Sequence, residues 1–268
     1  MPKAFLEIKT YKELFDYIQA FREKKMNLMI LVSRAGLGKT TIVEEALISE
    51  APLILNSHIT PLKFYENLFE RTQEEPDCLV IIDEAEMMFS NPKLKTMLKI
   101  LCDTRKEKTI RYITSSPILK DIPQEFTTEA KVIMLINTLR PTDEHIKAIM
   151  SRGHLLYFTP SDIEILNYLK TWAEDKEILD FLEKFAPFSR TLNLRTYVKA
   201  KESKDSGLDW QREVINELEL DPRLLEIKRL LETYETDEER LKHWSNSRSA
   251  FYRFKKIYLS KNPPKKDV

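Results

Sequence analysis

The sequence predicts an α/β body, with a mainly parallel sheet covered by helices on both faces, followed by an all-helical tail. Three observations carry this. Short apolar runs alternate with helical stretches up to Pro160, and beyond it the strand signals stop. Glycine is scarce, with four in 268 residues where average usage would give roughly nineteen. Two of the four, Gly36 and Gly38, follow the apolar run Leu28–Val32 directly, at a turn that needs their backbone freedom.

The elements follow in order. Thr10 with Glu13 reads as a capping box opening a helix through about residue 25. Leu28–Val32 is a buried strand, 41–49 a helix, Leu53–Leu55 a second strand, 61–73 a helix and 78–82 a third strand. Asn91 caps a helix over 92–102; 109–115 is extended, Lys131–Ile136 is an apolar strand, 142–150 a helix and His154–Phe158 extended. Then 163–173, 178–185 and 192–201 are helical, Gly207 marks a loop, and the chain is helical again from Trp210. The resulting division is an α/β core at 1–158, a helical segment at 159–212 and a small all-α module at 213–268.

Composition narrows the class. With 42% apolar and 32% charged residues the chain can bury a sizeable core. No apolar run approaches the roughly eighteen residues of a membrane span, and residues 1–12 are too charged for a secretory signal. Two cysteines, Cys78 and Cys102, supply neither a disulfide framework nor a four-cysteine zinc site. A cytoplasmic protein without membrane contact is expected. His58, His145, His154 and His243 lack metal-ligand spacing, and Trp172, Trp210 and Trp244 read as core anchors.

Residues 33–40 read S-R-A-G-L-G-K-T between a strand and a helix. A phosphate-binding loop needs a flexible backbone to aim successive N–H groups, a lysine to reach the β- and γ-phosphates, and a hydroxyl for Mg²⁺. Gly36, Gly38, Lys39 and Thr40 supply these, and the helix N-terminus adds its dipole. Ser33 stands where G-x-x-x-x-G-K-[ST] begins with glycine. Beyond the helix that follows, with one strand and one helix between, the apolar run 78–82 ends in Asp83-Glu84. Asp83 is placed to order Mg²⁺ and Glu84 to polarise an attacking water.

On these motifs the chain resembles an AAA+ P-loop ATPase of phage or mobile-element type over roughly residues 1–205. The resemblance implies that ATP and Mg²⁺ are bound by Ser33, Ala35, Gly36, Leu37, Gly38, Lys39, Thr40, Thr41 and Asp83, with Thr40 and Asp83 on the metal. It implies that the sensor-1 strand lies between the two nucleotide-binding strands. Lys131–Ile136 fits that strand, with Asn137 at its tip beside the γ-phosphate or attacking water. Ser151-Arg152-Gly153 is similar to an arginine-finger box, in which Arg152 reaches a neighbouring subunit's nucleotide. The stretch 189–197 resembles a sensor-2 helix, with Arg195 or Arg190 as the sensor. A homo-oligomer, as a ring or filament, follows from the same likeness. An extra segment at about 109–128 resembles the hairpin some members insert before sensor 1. It is associated with Lys108, Arg111 and Lys120, and reads either as a nucleic-acid contact or as a solvated edge whose lysines discourage aggregation.

The tail is basic. Residues 240–268 hold nine Lys or Arg against Asp267, a charge of +8 that leaves −8 on residues 1–239 of a neutral chain. Leu224, Ile227, Leu231 and Tyr234 recur at helical spacing, Thr236 with Glu239 caps a second helix, and 248–259 forms a third. On that third helix Ala250, Phe251, Phe254, Ile257 and Tyr258 share a face, opposite Arg248, Tyr252, Arg253 and Lys256. The pattern resembles a small helix-turn-helix module, whose last helix would read double-stranded DNA through those four residues. Three functions remain open: an ATPase coupled to DNA remodelling or loading, a nucleotide-dependent switch that barely hydrolyses, and an ATPase that remodels a protein client.

Overall fold

The computed structural model describes residues 5–56, 58–113, 122–139, 144–189 and 191–261. The chain divides into two compact units, Met1–Ser161 and Asp162–Val268.

The first unit is built on a six-stranded sheet. Its strands are β1 (Leu6–Ile8), β2 (Leu28–Val32), β3 (Leu53–Leu55), β4 (Leu79–Ile82), β7 (Lys131–Ile136) and β8 (His154–Phe158). They lie in the order β1-β8-β2-β7-β4-β3, and every neighbouring pair is parallel. β2 and β4 are buried along their whole length, as continuous apolar runs in a parallel sheet should be. β1 was not expected from the sequence: it has three residues and buries only Ile8, too little to show a pattern. The expected placement of β7 between β2 and β4 is observed.

The register decides what meets at each edge. Val32 pairs with Ile136 and Ile82 with Met134, so the chain leaves β2, β4 and β7 at one edge. His154 pairs with Met29 at the start of β2, so residues 151–153 lie at the opposite edge. Gly153 is required there: a Cβ at that position would stand 2.6 Å from Leu28 Cγ.

Helices α1 (Tyr11–Arg22), α2 (Lys39–Leu47), α3 (Pro61–Glu74), α4 (Ala85–Met88), α5 (Pro92–Leu101) and α6 (Glu144–Met150) connect the strands. Thr10, Thr60 and Asn91 cap α1, α3 and α5 through side-chain oxygens, with proline in the first turn of α3 and α5. α2 starts two residues before the expected 41, because Gly38 in the left-handed region ends the turn there. The part of the expected 142–150 helix before Glu144 lies outside the described residues.

β5 (Lys108–Arg111) and β6 (Glu125–Thr128) pair antiparallel, as a hairpin before β7. Lys120 lies outside the described residues. The hairpin is part of the core: Ile110 and Phe126 are buried, and the Tyr65 and Phe69 rings of α3 meet Phe126 edge-on. Lys108 corrects the solvated-edge expectation. It is fully buried, and its Nζ donates to the Ala130 carbonyl at 2.6 Å. Arg111 does lie outside, paired with Glu125 at 2.6 Å.

The second unit is helical: α7 (Asp162–Leu169), α8 (Lys176–Phe185), α9 (Leu194–Asp205), α10 (Trp210–Glu217), α11 (Pro222–Thr233), α12 (Asp237–Lys242) and α13 (Arg248–Lys261). The segments on either side of residue 212 pack on each other. Phe188 stacks on Tyr258 of α13 and Lys184 pairs with Glu232 of α11, while before the boundary Phe181 of α8 meets Trp210 edge-on. Trp210 and Trp244 are buried anchors, whereas Trp172 is 42% exposed with its edge on Tyr197, which corrects its expected core role.

On α11 the buried row is Leu224, Ile227 and Leu230, so Leu231 lies one position off the expected stripe. α12 buries none of its residues and is tied by the Thr236–Glu239 capping box and by Asp237, which pairs with Arg240 and Lys255. On α13 Phe251, Phe254 and Tyr258 are buried and Ile257 is exposed, because it lies at the rim of that face. No helix among the described residues is long and apolar enough to cross a membrane.

Candidate functional site: the edge where β2, β4 and β7 end

Three chain segments meet at this edge because the strands feeding them are neighbours. The turn after β2 is shaped by Gly36 and Gly38, at φ 82° and 81°, a left-handed conformation that suits glycine. Ser33 has no positive φ, is fully buried, and donates its N–H to Ile136 O at 3.1 Å. Its peptide continues the β2–β7 ladder, so the first position of the motif needs no glycine here. Leu37 plugs the turn into the core, and Tyr11 Oη donates to its carbonyl at 3.3 Å. Ala35 is exposed on the turn, and Thr41 is exposed in the first turn of α2.

α2 differs from α1, α3 and α5 at its start. Gly38 makes no side-chain cap, where Thr10, Thr60 and Asn91 cap those three helices, so the first N–H groups of α2 are left open to an anion. That is the electrostatic arrangement of an anion site.

Lys39 is 6% exposed, and its ammonium donates to Ser33 O at 3.1 Å and to Asn137 Oδ1 at 2.7 Å. Thr40 Oγ1 donates to Asp83 Oδ2 at 3.0 Å. The Asp83 N–H is fixed by Leu55 O at 3.0 Å, which ties the end of β4 to the end of β3. The sequence-predicted group Gly36, Gly38, Lys39, Thr40, Asp83 and Asn137 is therefore brought together. A hydroxyl and a carboxylate side by side are the hard oxygen donors that Mg²⁺ takes, with phosphate and water completing its shell. Residues at this edge thus fit a Mg²⁺–nucleotide.

Glu84 adjoins the group but is exposed and lies in the left-handed region at φ 50°, with its N–H on Asp83 Oδ1 at 2.9 Å. A non-glycine residue there costs about 1 kcal/mol or more, strain of the kind that clusters at functional sites. Sequence reasoning missed Glu86. It sits in α4, whose Oε1 accepts the Asn137 N–H at 3.2 Å, while its Oε2 is buried with no partner among the described residues. The signal was the third acid in Asp83-Glu84-Ala85-Glu86.

The remaining residues lie elsewhere. Arg152 is at the far edge of the sheet, donating to Lys99 O at 2.7 Å and facing Asp103 at 3.6 Å. β8 separates it from the phosphate-loop edge by about 16 Å at ~3.3 Å per residue, beyond the reach of its own side chain. Arg195 is exposed on α9 in the second unit, and Arg190 lies outside the described residues. On α13 Arg248, Tyr252, Arg253 and Lys256 all face solvent. Arg248 lies over the Tyr252 ring and Arg253 over Phe254.

A parallel sheet in this strand order, with a glycine turn, Lys39 and Thr40 leading into α2, is the P-loop NTPase fold, followed here by a helical region. No family model matches the chain, and no curated protein matches it. Among solved structures it is similar to a Walker-type ATPase of Pyrococcus abyssi, with 14% identity over 93% of this chain and 89% of that one, at a TM-score of 0.46. It is likewise similar to the RuvB Holliday junction branch migration motor of Thermotoga maritima, with 14% identity over 94% and 86%, at a TM-score of 0.47. The fold assignment rests on this chain's own strand order and turn geometry.

Proposed function

We propose that the chain is an ATP-binding and ATP-hydrolysing P-loop ATPase of AAA+ type, working as a homo-oligomer on double-stranded DNA. The observation that carries the ATPase reading is the pair of contacts Lys39–Asn137 and Thr40–Asp83 at the uncapped start of α2. Mg²⁺, when bound, would supply charge neutralisation at the phosphates. Lys39 turns from Asn137 Oδ1 to the phosphates, and the N–H groups of the turn at Ala35, Gly36, Leu37 and Gly38 aim at them. Thr40 and Asp83 hold the metal, and Asp83 keeps its carboxylate oriented through the Glu84 N–H. Glu84 takes the proton of the attacking water, and Asn137, released by Lys39, orients that water. Arg152 serves a neighbouring protomer's site after exchanging its contacts with Lys99 and Asp103, and Arg195 is the candidate sensor-2 residue of the lid.

We read 159–212, which lies in the helical unit from Asp162 onward, as the lid and 213–268 as a helix-turn-helix-like module. The exposed row Arg248, Tyr252, Arg253 and Lys256 supports DNA as its target, since the opposite face of α13 is buried. The burial of Ser33 and its ladder hydrogen bond weigh against the switch reading, which rests on the missing first glycine.

Steady-state turnover of ATP tests the enzyme. Glu84→Gln is expected to lower kcat by about 100-fold or more while nucleotide binding persists; unchanged turnover would remove Glu84 from the reaction. Affinity for duplex DNA across a salt series tests the tail. Replacing both Arg253 and Lys256 by alanine should make the slope of log K against log salt shallower by about 2. A slope identical to the parent's would take α13 out of the DNA contact.

A further inference from the structure

We propose that Glu86 is a positioning residue that sets the tip of β7 and thereby aims Asn137 at the phosphate site, an inference that rests on the ATPase reading above. The sheet explains why such a residue is needed. β7 outruns β4: the last β4–β7 pair is Ile82 with Met134, whereas β2 stays paired as far as Val32 with Ile136. On the β2 side the ladder continues one step further, through the Ser33 N–H to Ile136 O. On the β4 side the strand has already turned away at Asp83-Glu84, and the Asn137 N–H would have no carbonyl opposite it. Glu86 Oε1 takes that place at 3.2 Å, a carboxylate standing in for the missing strand.

The consequence reaches the phosphate-loop lysine. With its peptide fixed from the β4 side, Asn137 presents Oδ1 to Lys39 Nζ at 2.7 Å. Glu86, Asn137 and Lys39 form one hydrogen-bonded line from the acidic turn to the glycine turn. Glu86 does this through its length and its acceptor oxygen, so neither its charge nor its proton enters the reaction. That separates its role from that of Glu84, which is exposed and makes no such backbone contact among the described residues.

Two conservative variants of the full-length chain test it. Glu86→Gln keeps an acceptor oxygen at the same reach. It should turn over ATP within about twofold of the parent. Glu86→Asp keeps the charge but is one methylene too short. Its kcat should fall about tenfold with KM within threefold, the mark of a group that acts after binding. Hydrogen exchange at the Asn137 amide, measured without nucleotide, should be faster in Glu86→Asp and unchanged in Glu86→Gln. A Glu86→Gln enzyme as slow as Glu86→Asp, with the amide still protected, would overturn the proposal by making the carboxylate itself the active group. Parent-like turnover and exchange in Glu86→Asp would overturn it as well. If the parent itself does not hydrolyse ATP, the ATPase reading fails, while the exchange measurement still decides whether Glu86 holds Asn137.

Discussion

Lys108→Met is expected to stabilise the protein at pH 7 by about 1–2 kcal/mol and to flatten the rise of stability above pH 8. Burial, with the Lys131 charge nearby, holds the Lys108 ammonium down to about 8 from its usual 10.5. Asp103 and Glu129 offset this only in part. Between those two values the unfolded chain binds a proton at this lysine and the folded chain does not, so the stability of the parent climbs with pH across that window. The gap corresponds to about 3 kcal/mol, all of it a cost to the folded state below the window.

Methionine removes the cost and also removes the hydrogen bond to the Ala130 carbonyl, worth about 1 kcal/mol. Urea denaturation of parent and variant at pH 7 and pH 10 reads both effects, and the difference between the two proteins cancels every other titrating group. A variant less stable at pH 7, with the same pH slope as the parent, would mean that Lys108 carries its charge in the fold without penalty.

The same lysine shows where the sequence stopped being legible. Lys108, Arg111 and Lys120 look alike as letters near a hairpin, yet Lys108 points into the core, onto the Ala130 carbonyl. Alternation within β5 decides that, and Lys-Thr-Ile-Arg offers only one apolar residue from which to read the face. By contrast Leu28–Val32, Lys131–Ile136 and the turn between Gly36 and Gly38 were plain, because long apolar runs and paired glycines have few other uses. Contacts that link distant segments through a single side chain were not legible. Glu86 to Asn137 spans 51 positions and Lys39 to Asn137 spans 98, and no local pattern encodes either. Asn137 could be reached from strand placement alone, whereas Glu86 needed the register that leaves β7 longer than β4. In the tail, the face of α13 was read correctly at Phe251, Phe254 and Tyr258, and only its rim at Ile257 was misjudged.

The second large effect belongs to Lys39. Its ammonium is buried beneath the glycine turn, where it donates to two neutral oxygens, Ser33 O and Asn137 Oδ1. A triphosphate would replace them with charged oxygens in the same low-dielectric place, and charge-assisted bonds of this kind are about twice as strong as neutral ones. Lys39→Ala deletes that exchange and leaves Gly36, Gly38 and the start of α2 intact. Titration calorimetry of ATP with Mg²⁺ into parent and variant is the direct measurement. A drop in affinity of about 100-fold or more, with the thermal unfolding of the nucleotide-free proteins alike, is the predicted result. Equal uptake of ATP by the two proteins would contradict the assignment of this edge as a nucleotide site.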